Sequence, residues 1–70
     1  MKKTVIHNVR RIITEQQLRP REVEQSAGMK PGVISRMING KRKVYADELV
    51  PVANALGVEV DELFISATQQ

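Results

Sequence analysis

Seven donor-bearing side chains crowd into KPGVISRMINGKRK, residues 30–43: Lys30, Ser35, Arg36, Asn39, Lys41, Arg42 and Lys43. A guanidinium presents a planar fork of N–H groups that matches a phosphate, a carboxylate, or the O6 and N7 edge of guanine. An ammonium offers a point charge to a phosphate. Arg19 and Arg21 stand upstream, on either side of Pro20. A helix beginning there would add unpaired backbone N–H groups, which favour an anion. These residue types suit recognition of a polyanion rather than bond-breaking. The chain has no cysteine nucleophile and no phosphate-cradling glycine loop, and His7, its one histidine, has no plausible nucleophile and acid beside it. One histidine without cysteine also cannot build a metal site, and no cofactor is expected.

Charge agrees with that chemistry. The net charge of +3 conceals an asymmetry: residues 1–43 hold all eleven Lys and Arg against Glu15, Glu22 and Glu24, while residues 44–70 hold five acids and no base. A cationic face aimed at a polyanion is the expectation. At 70 residues the chain reads as one small domain, its core spanning about residues 4–65 between short basic and polar tails. The absence of cysteine suits a reducing cytosol. No apolar run approaches the roughly 18 residues of a membrane span, and MKKTVIHNVRR carries too short an apolar stretch for a signal peptide.

The elements that must position these side chains are short and helical. Val5, Ile6, Val9, Ile12 and Ile13 share one helical face, predicting a helix from Thr4, as N-cap, to about Gln16. Pro20 starts a second helix, with Val23 and Ala27 inward and Gly28 as its left-handed stop. A third begins near Pro31 and runs to about Ile38, burying Val33, Ile34, Met37 and Ile38 before Asn39-Gly40 ends it. Leu49, Val52, Ala53 and Leu56 predict a fourth between about Ala46 and Leu56; Pro51 within it implies a late start or a distorted first turn. A short fifth, about Val60 to Ile65, places Leu63 and Phe64 on the core. The fold class is all-α, with five short helices.

A three-residue turn, Gly28-Met29-Lys30, joins helices two and three, the mark of a helix-turn-helix. The sequence resembles the lambda-repressor/Cro/XRE family of helix-turn-helix DNA-binding domains over roughly Thr4 to Ile65. The matching pieces, in order, are EVEQSAGMKPGVISRMINGKRK, LVPVANALGV and DELF. The resemblance implies a compact domain that binds double-stranded DNA, with helix three in the major groove. It places base contacts at Pro31, Gly32 and Arg36, with Lys30 and Ser35 close by. Arg36 is the strong reader, because its fork fits guanine. Phosphate contacts are expected from Lys41, Arg42 and Lys43, the backbone N–H groups around Asn39 and Gly40, and Arg19 and Arg21 near the N-terminus of helix two. Lys2 and Lys3 would form a basic arm.

Two positions depart from the family pattern. Pro20 stands where a phosphate-gripping glutamine is common, and Glu24 where a small alanine abuts the next helix. A buried, unpaired carboxylate is costly, so Glu24 is expected to turn outward to Arg21, Arg36 or solvent, or to hold the helices apart. The function expected is a cytoplasmic, nucleoid-associated transcriptional regulator of repressor type, reading an inverted repeat as a homodimer, with Val58, Val60 and Ile65 as a candidate dimer patch. No membrane or small-molecule partner is expected. The alternative is an antitoxin or other protein-interaction module on the same fold.

Overall fold

The computed structural model describes residues 3–65, and the expected arm residue Lys2 lies outside them. Four α-helices follow in order: α1 Lys3–Glu15, α2 Pro20–Ala27, α3 Val33–Ile38 and α4 Leu49–Leu56. Two 3₁₀ turns, Ala46–Glu48 and Val60–Phe64, precede and follow α4, and there is no strand among the described residues. The all-α class therefore holds, with the expected fifth helix replaced by a 3₁₀ turn.

Each boundary has a local cause. α1 already contains Lys3, so Thr4 lies within the helix and does not cap it. All four helices stop in the same way. The chain turns left-handed just past the last helical turn, and two successive N–H groups reach back to the helix's final carbonyls. At α2 these are Gly28 to Gln25 and Met29 to Glu24; at α3 they are Gly40 to Met37 and Lys41 to Arg36. At α1 the left-handed position falls to Gln17, with φ of 56°, a conformation that glycine adopts far more cheaply.

α3 starts later than Pro31 suggests. Pro31 and Gly32 form a turn, Gly32 takes φ of 87° as the N-cap, and the helix opens at Val33. Pro31 is thus a turn residue, and α3 has only six residues. At α4 the proline conflict resolves as expected. The 3₁₀ turn Ala46–Glu48 comes first, and Pro51 becomes the third residue of α4, where a missing N–H breaks no intrahelical bond.

One aliphatic core joins the elements. α2 packs on α3 and α4, while α1 packs on α3 and the last 3₁₀ turn. Val5, Val9, Ile34, Met37, Leu56 and Leu63 are fully buried, each contributing about 1.5–3 kcal/mol by leaving water. Phe64 is not among them. Three residues per turn bring Val60 and Leu63 to the inner side and turn Phe64 out, leaving it 47% exposed. Asn8, also fully buried, donates through Nδ2 to the carbonyls of Leu63 (2.9 Å) and Ile65 (2.7 Å), tying the end of the fold to α1. Gln16 Nε2 similarly donates to the Leu56 carbonyl at 2.9 Å, satisfying the C-terminal end of α4.

Candidate nucleic-acid interface

The α2–α3 pair carries the site. Val33, Ile34 and Met37 face the core, so the opposite side of α3 and its preceding turn face solvent. Lys30, Pro31 and Arg36 are exposed there, while Gly32 and Ser35 are half-buried. Arg36 bends back along the helix toward Gly32. A Cβ on Gly32 would come within 2.8 Å of Arg36 Nη1. The guanidinium therefore occupies space that a side chain at position 32 would fill. All five expected base-reading positions gather on one surface.

α3 is too short to be stable alone, and partners from two other helices hold its ends. At the N-terminus, Glu24 Oε2 accepts the Ile34 N–H at 2.9 Å, and Glu24 is only 4% exposed. The expectation that Glu24 turns to Arg21, Arg36 or solvent is thus corrected. An unsatisfied helix-end N–H offers the carboxylate a partner, and the positive end of the helix dipole favours its charge. At the other end, the Arg10 guanidinium donates to the Ile38 carbonyl. Arg10 was not singled out by the sequence. Nothing in local spacing signals a bond that spans 28 residues.

The loop after α3 is also more committed than its composition suggests. Lys41 and Lys43 are exposed. Arg42 is half-buried and clamped to Glu48, with Nη1 to Oε1 at 2.9 Å and Nη2 to Oε2 at 2.6 Å. Its guanidinium also lies 5.5 Å from the Tyr45 ring centroid, within cation–π range. The hydrogen bond from Arg42 holds the Glu48 carboxyl below its usual range, and the same bond raises Arg42. The backbone amides expected to meet phosphate are spoken for: Asn39, Gly40 and Lys41 donate to the carbonyls of Ser35, Met37 and Arg36. The Asn39 side chain adds a second donor to the Ser35 carbonyl at 2.9 Å. The helix ending consumes these amides, leaving the side chains of Lys41 and Lys43 as the ready cations.

A similar substitution occurs at α2. Arg19 and Arg21 are exposed, as expected. However, Glu22 Oε1 accepts the Arg19 N–H at 2.8 Å, Pro20 has no N–H, and the Glu22 and Val23 amides turn back to the Arg19 carbonyl. An anion at this end would meet guanidinium groups more than helix-end amides. Two grooves of about 270 and 300 Å³ meet at Ile6 and Gly40, bringing His7 and Arg10 of α1 beside the Lys41–Lys43 loop.

Two short helices joined by a tight turn, the second with a cationic outer face, define a DNA-binding helix-turn-helix domain. A family model described as "Helix-turn-helix" matches residues 9–63. The chain belongs to that family, in its lambda-repressor/XRE-like form. Comparison with curated proteins and with solved structures returned no match. No helix among the described residues is long and apolar enough to cross a membrane.

Proposed function

We propose that the protein is a sequence-specific transcriptional regulator of repressor type, acting in the cytoplasm on the nucleoid, with α3 in the major groove. Arg36 reads guanine through O6 and N7. Lys30 and Ser35 add hydrogen bonds, while Pro31 and Gly32 supply shape and close backbone approach. Arg19, Arg21, Lys41 and Lys43 bind phosphates. Asn39 and Gly40 shape the loop that carries the lysines, and Arg42 joins the phosphate set only by giving up part of its grip on Glu48. The observation that carries the reading is the exposure of Lys30, Pro31 and Arg36 on one side of α3 and its preceding turn, while Val33, Ile34 and Met37 seal the other.

A six-residue helix reads few base pairs, so we propose a homodimer on an inverted repeat, with half-sites about 34 Å apart. Val58 and Val60 are half-buried against the core, whereas Ile65 is 53% exposed. The apolar surface for a dimer is therefore better supplied by Ile65 with Phe64 than by the two valines. Selection of bound duplexes from a random library tests the whole reading. The expected product is a palindromic site with a guanine at the Arg36 position; recovery of unselected sequence sinks it. Absence of duplex binding even at low salt would favour the antitoxin or protein-interaction reading, in which DNA binding is secondary or lost.

A further inference from the structure

The one carboxylate inside the helix-turn-helix seam has a function beyond filling space. Glu24 sits where α2 abuts α3, and among the described residues its one side-chain hydrogen-bonded partner is the second amide of α3, 2.9 Å away. Ile34 is itself 0% exposed, so its N–H has no water to turn to. The bond links the two helices across ten residues of sequence, at the end of α3 that carries Lys30, Pro31 and Gly32. Among these residues no second hydrogen bond or ion pair joins α2 to α3, and the residues buried beside it are Val23, Val33, Ile34 and Met37. Apolar contacts tolerate sliding, but a charged hydrogen bond to one amide has a fixed direction and distance.

We propose that Glu24 is a positioning residue for DNA readout: it fixes the pitch and register of α3 against α2 without touching DNA, and so sets base discrimination more than overall affinity. The inference rests on α3 being the reading helix. Arg10 at the Ile38 carbonyl steadies the opposite end, but Glu24 governs the end that follows Lys30, Pro31 and Gly32, toward which the Arg36 guanidinium bends. Phosphate contacts from Arg19, Arg21, Lys41 and Lys43 come from other segments, so loss of the Glu24 bond leaves them in place.

Two variants of nearly equal volume separate this role from packing. Glu24→Gln keeps a carbonyl oxygen for the Ile34 amide. Glu24→Met keeps the bulk and suits burial, but accepts no such bond. The reading is the ratio of affinity for the selected site to affinity for random duplex, with the salt slope. Glu24→Met is expected to lower the ratio about tenfold, as much as one mismatched base pair, with random-duplex binding and salt slope unchanged. Glu24→Gln should stay within about twofold of the parent. Equal ratios in both variants, whether retained or lost, overturn the proposal. The unsubstituted protein offers a second test that needs no variant. A scalar coupling across the hydrogen bond, from the Ile34 nitrogen to the Glu24 carboxyl carbon, should appear by NMR, and its absence overturns the proposal even if Glu24→Met does not fold. If the unsubstituted protein prefers no duplex, the DNA-reading function fails, while the coupling still decides whether Glu24 holds α3.

Discussion

Arg42 and Glu48 meet through both arms of the guanidinium fork, at 2.9 and 2.6 Å, across the loop that leaves α3. Glu48 Oε1 also accepts the Tyr45 N–H at 3.0 Å. One carboxylate thus anchors the basic loop and starts the 3₁₀ turn that leads into α4. Arg42 lies within a run of three cations but serves the fold first.

That pair makes stability depend on acid. Glu48 ionises more readily in the folded chain than its ordinary value of 4.5, chiefly because Arg42 donates to it. A depressed folded value means that the stabilisation is complete above the unfolded value and is lost as pH falls through the folded one. Thermal melts should therefore show stability declining below about pH 4.5, and Glu48→Gln should remove part of that decline. Arg42→Ala at neutral pH should cost about 1 kcal/mol, the upper range for a partly exposed but bidentate pair. An acid profile identical in Glu48→Gln and the parent would exclude this role.

The three loop cations should separate on DNA. Lys41→Ala and Lys43→Ala each remove a ready phosphate partner, so the slope of log affinity against log salt should flatten by about one unit apiece. Arg42→Ala should flatten it less, because its charge is largely answered by Glu48, and should lower the melting temperature more. Equal slopes across the three variants would mean that Arg42 leaves Glu48 when DNA arrives.

Arg36→Ala should cost roughly 1–3 kcal/mol on the selected site and relax one base position. Binding titrations against single-base variants of the site provide the measurement. If affinity instead falls uniformly over all sequences, Arg36 holds a phosphate and the assignment to guanine is wrong.

Much of this was legible in the sequence, and the failures have physical reasons. The helical rhythm of Val5, Val9, Ile12 and Ile13, and of Leu49, Val52, Ala53 and Leu56, found the core faces of α1 and α4, because burial repeats with the helix period. Val44 is buried as well but lies in a loop, where no period exists to reveal it. Phe64 misled because a 3₁₀ turn rotates residues faster than an α-helix. The site's composition was readable from the cluster of donors, but its internal commitments were not. Glu24 to Ile34, Arg10 to Ile38 and Arg42 to Glu48 are each decided by where elements meet, and residue type alone left Glu24 looking like a liability and Arg42 like a free cation.

Gln17 offers the simplest gain in stability. Its φ of 56° closes α1 with the same pair of reach-back bonds that glycine provides elsewhere, Gln17 to Thr14 at 3.1 Å and Leu18 to Ile13 at 3.0 Å. A side chain in the left-handed region costs about 1–2 kcal/mol, and the greater freedom of glycine in the unfolded chain offsets part of the relief. Gln17→Gly should therefore stabilise by about 0.5–1 kcal/mol, raising the melting temperature by roughly 2–8 °C in a domain this small. The Gln17 side chain is exposed and lies outside the proposed DNA contacts, so duplex affinity should not change. Gln17→Val should move the other way, because a β-branched side chain tolerates positive φ poorly. A calorimetric scan of the three proteins decides it: an unchanged or lower melting temperature in Gln17→Gly would mean that the left-handed turn at residue 17 carries no strain to relieve.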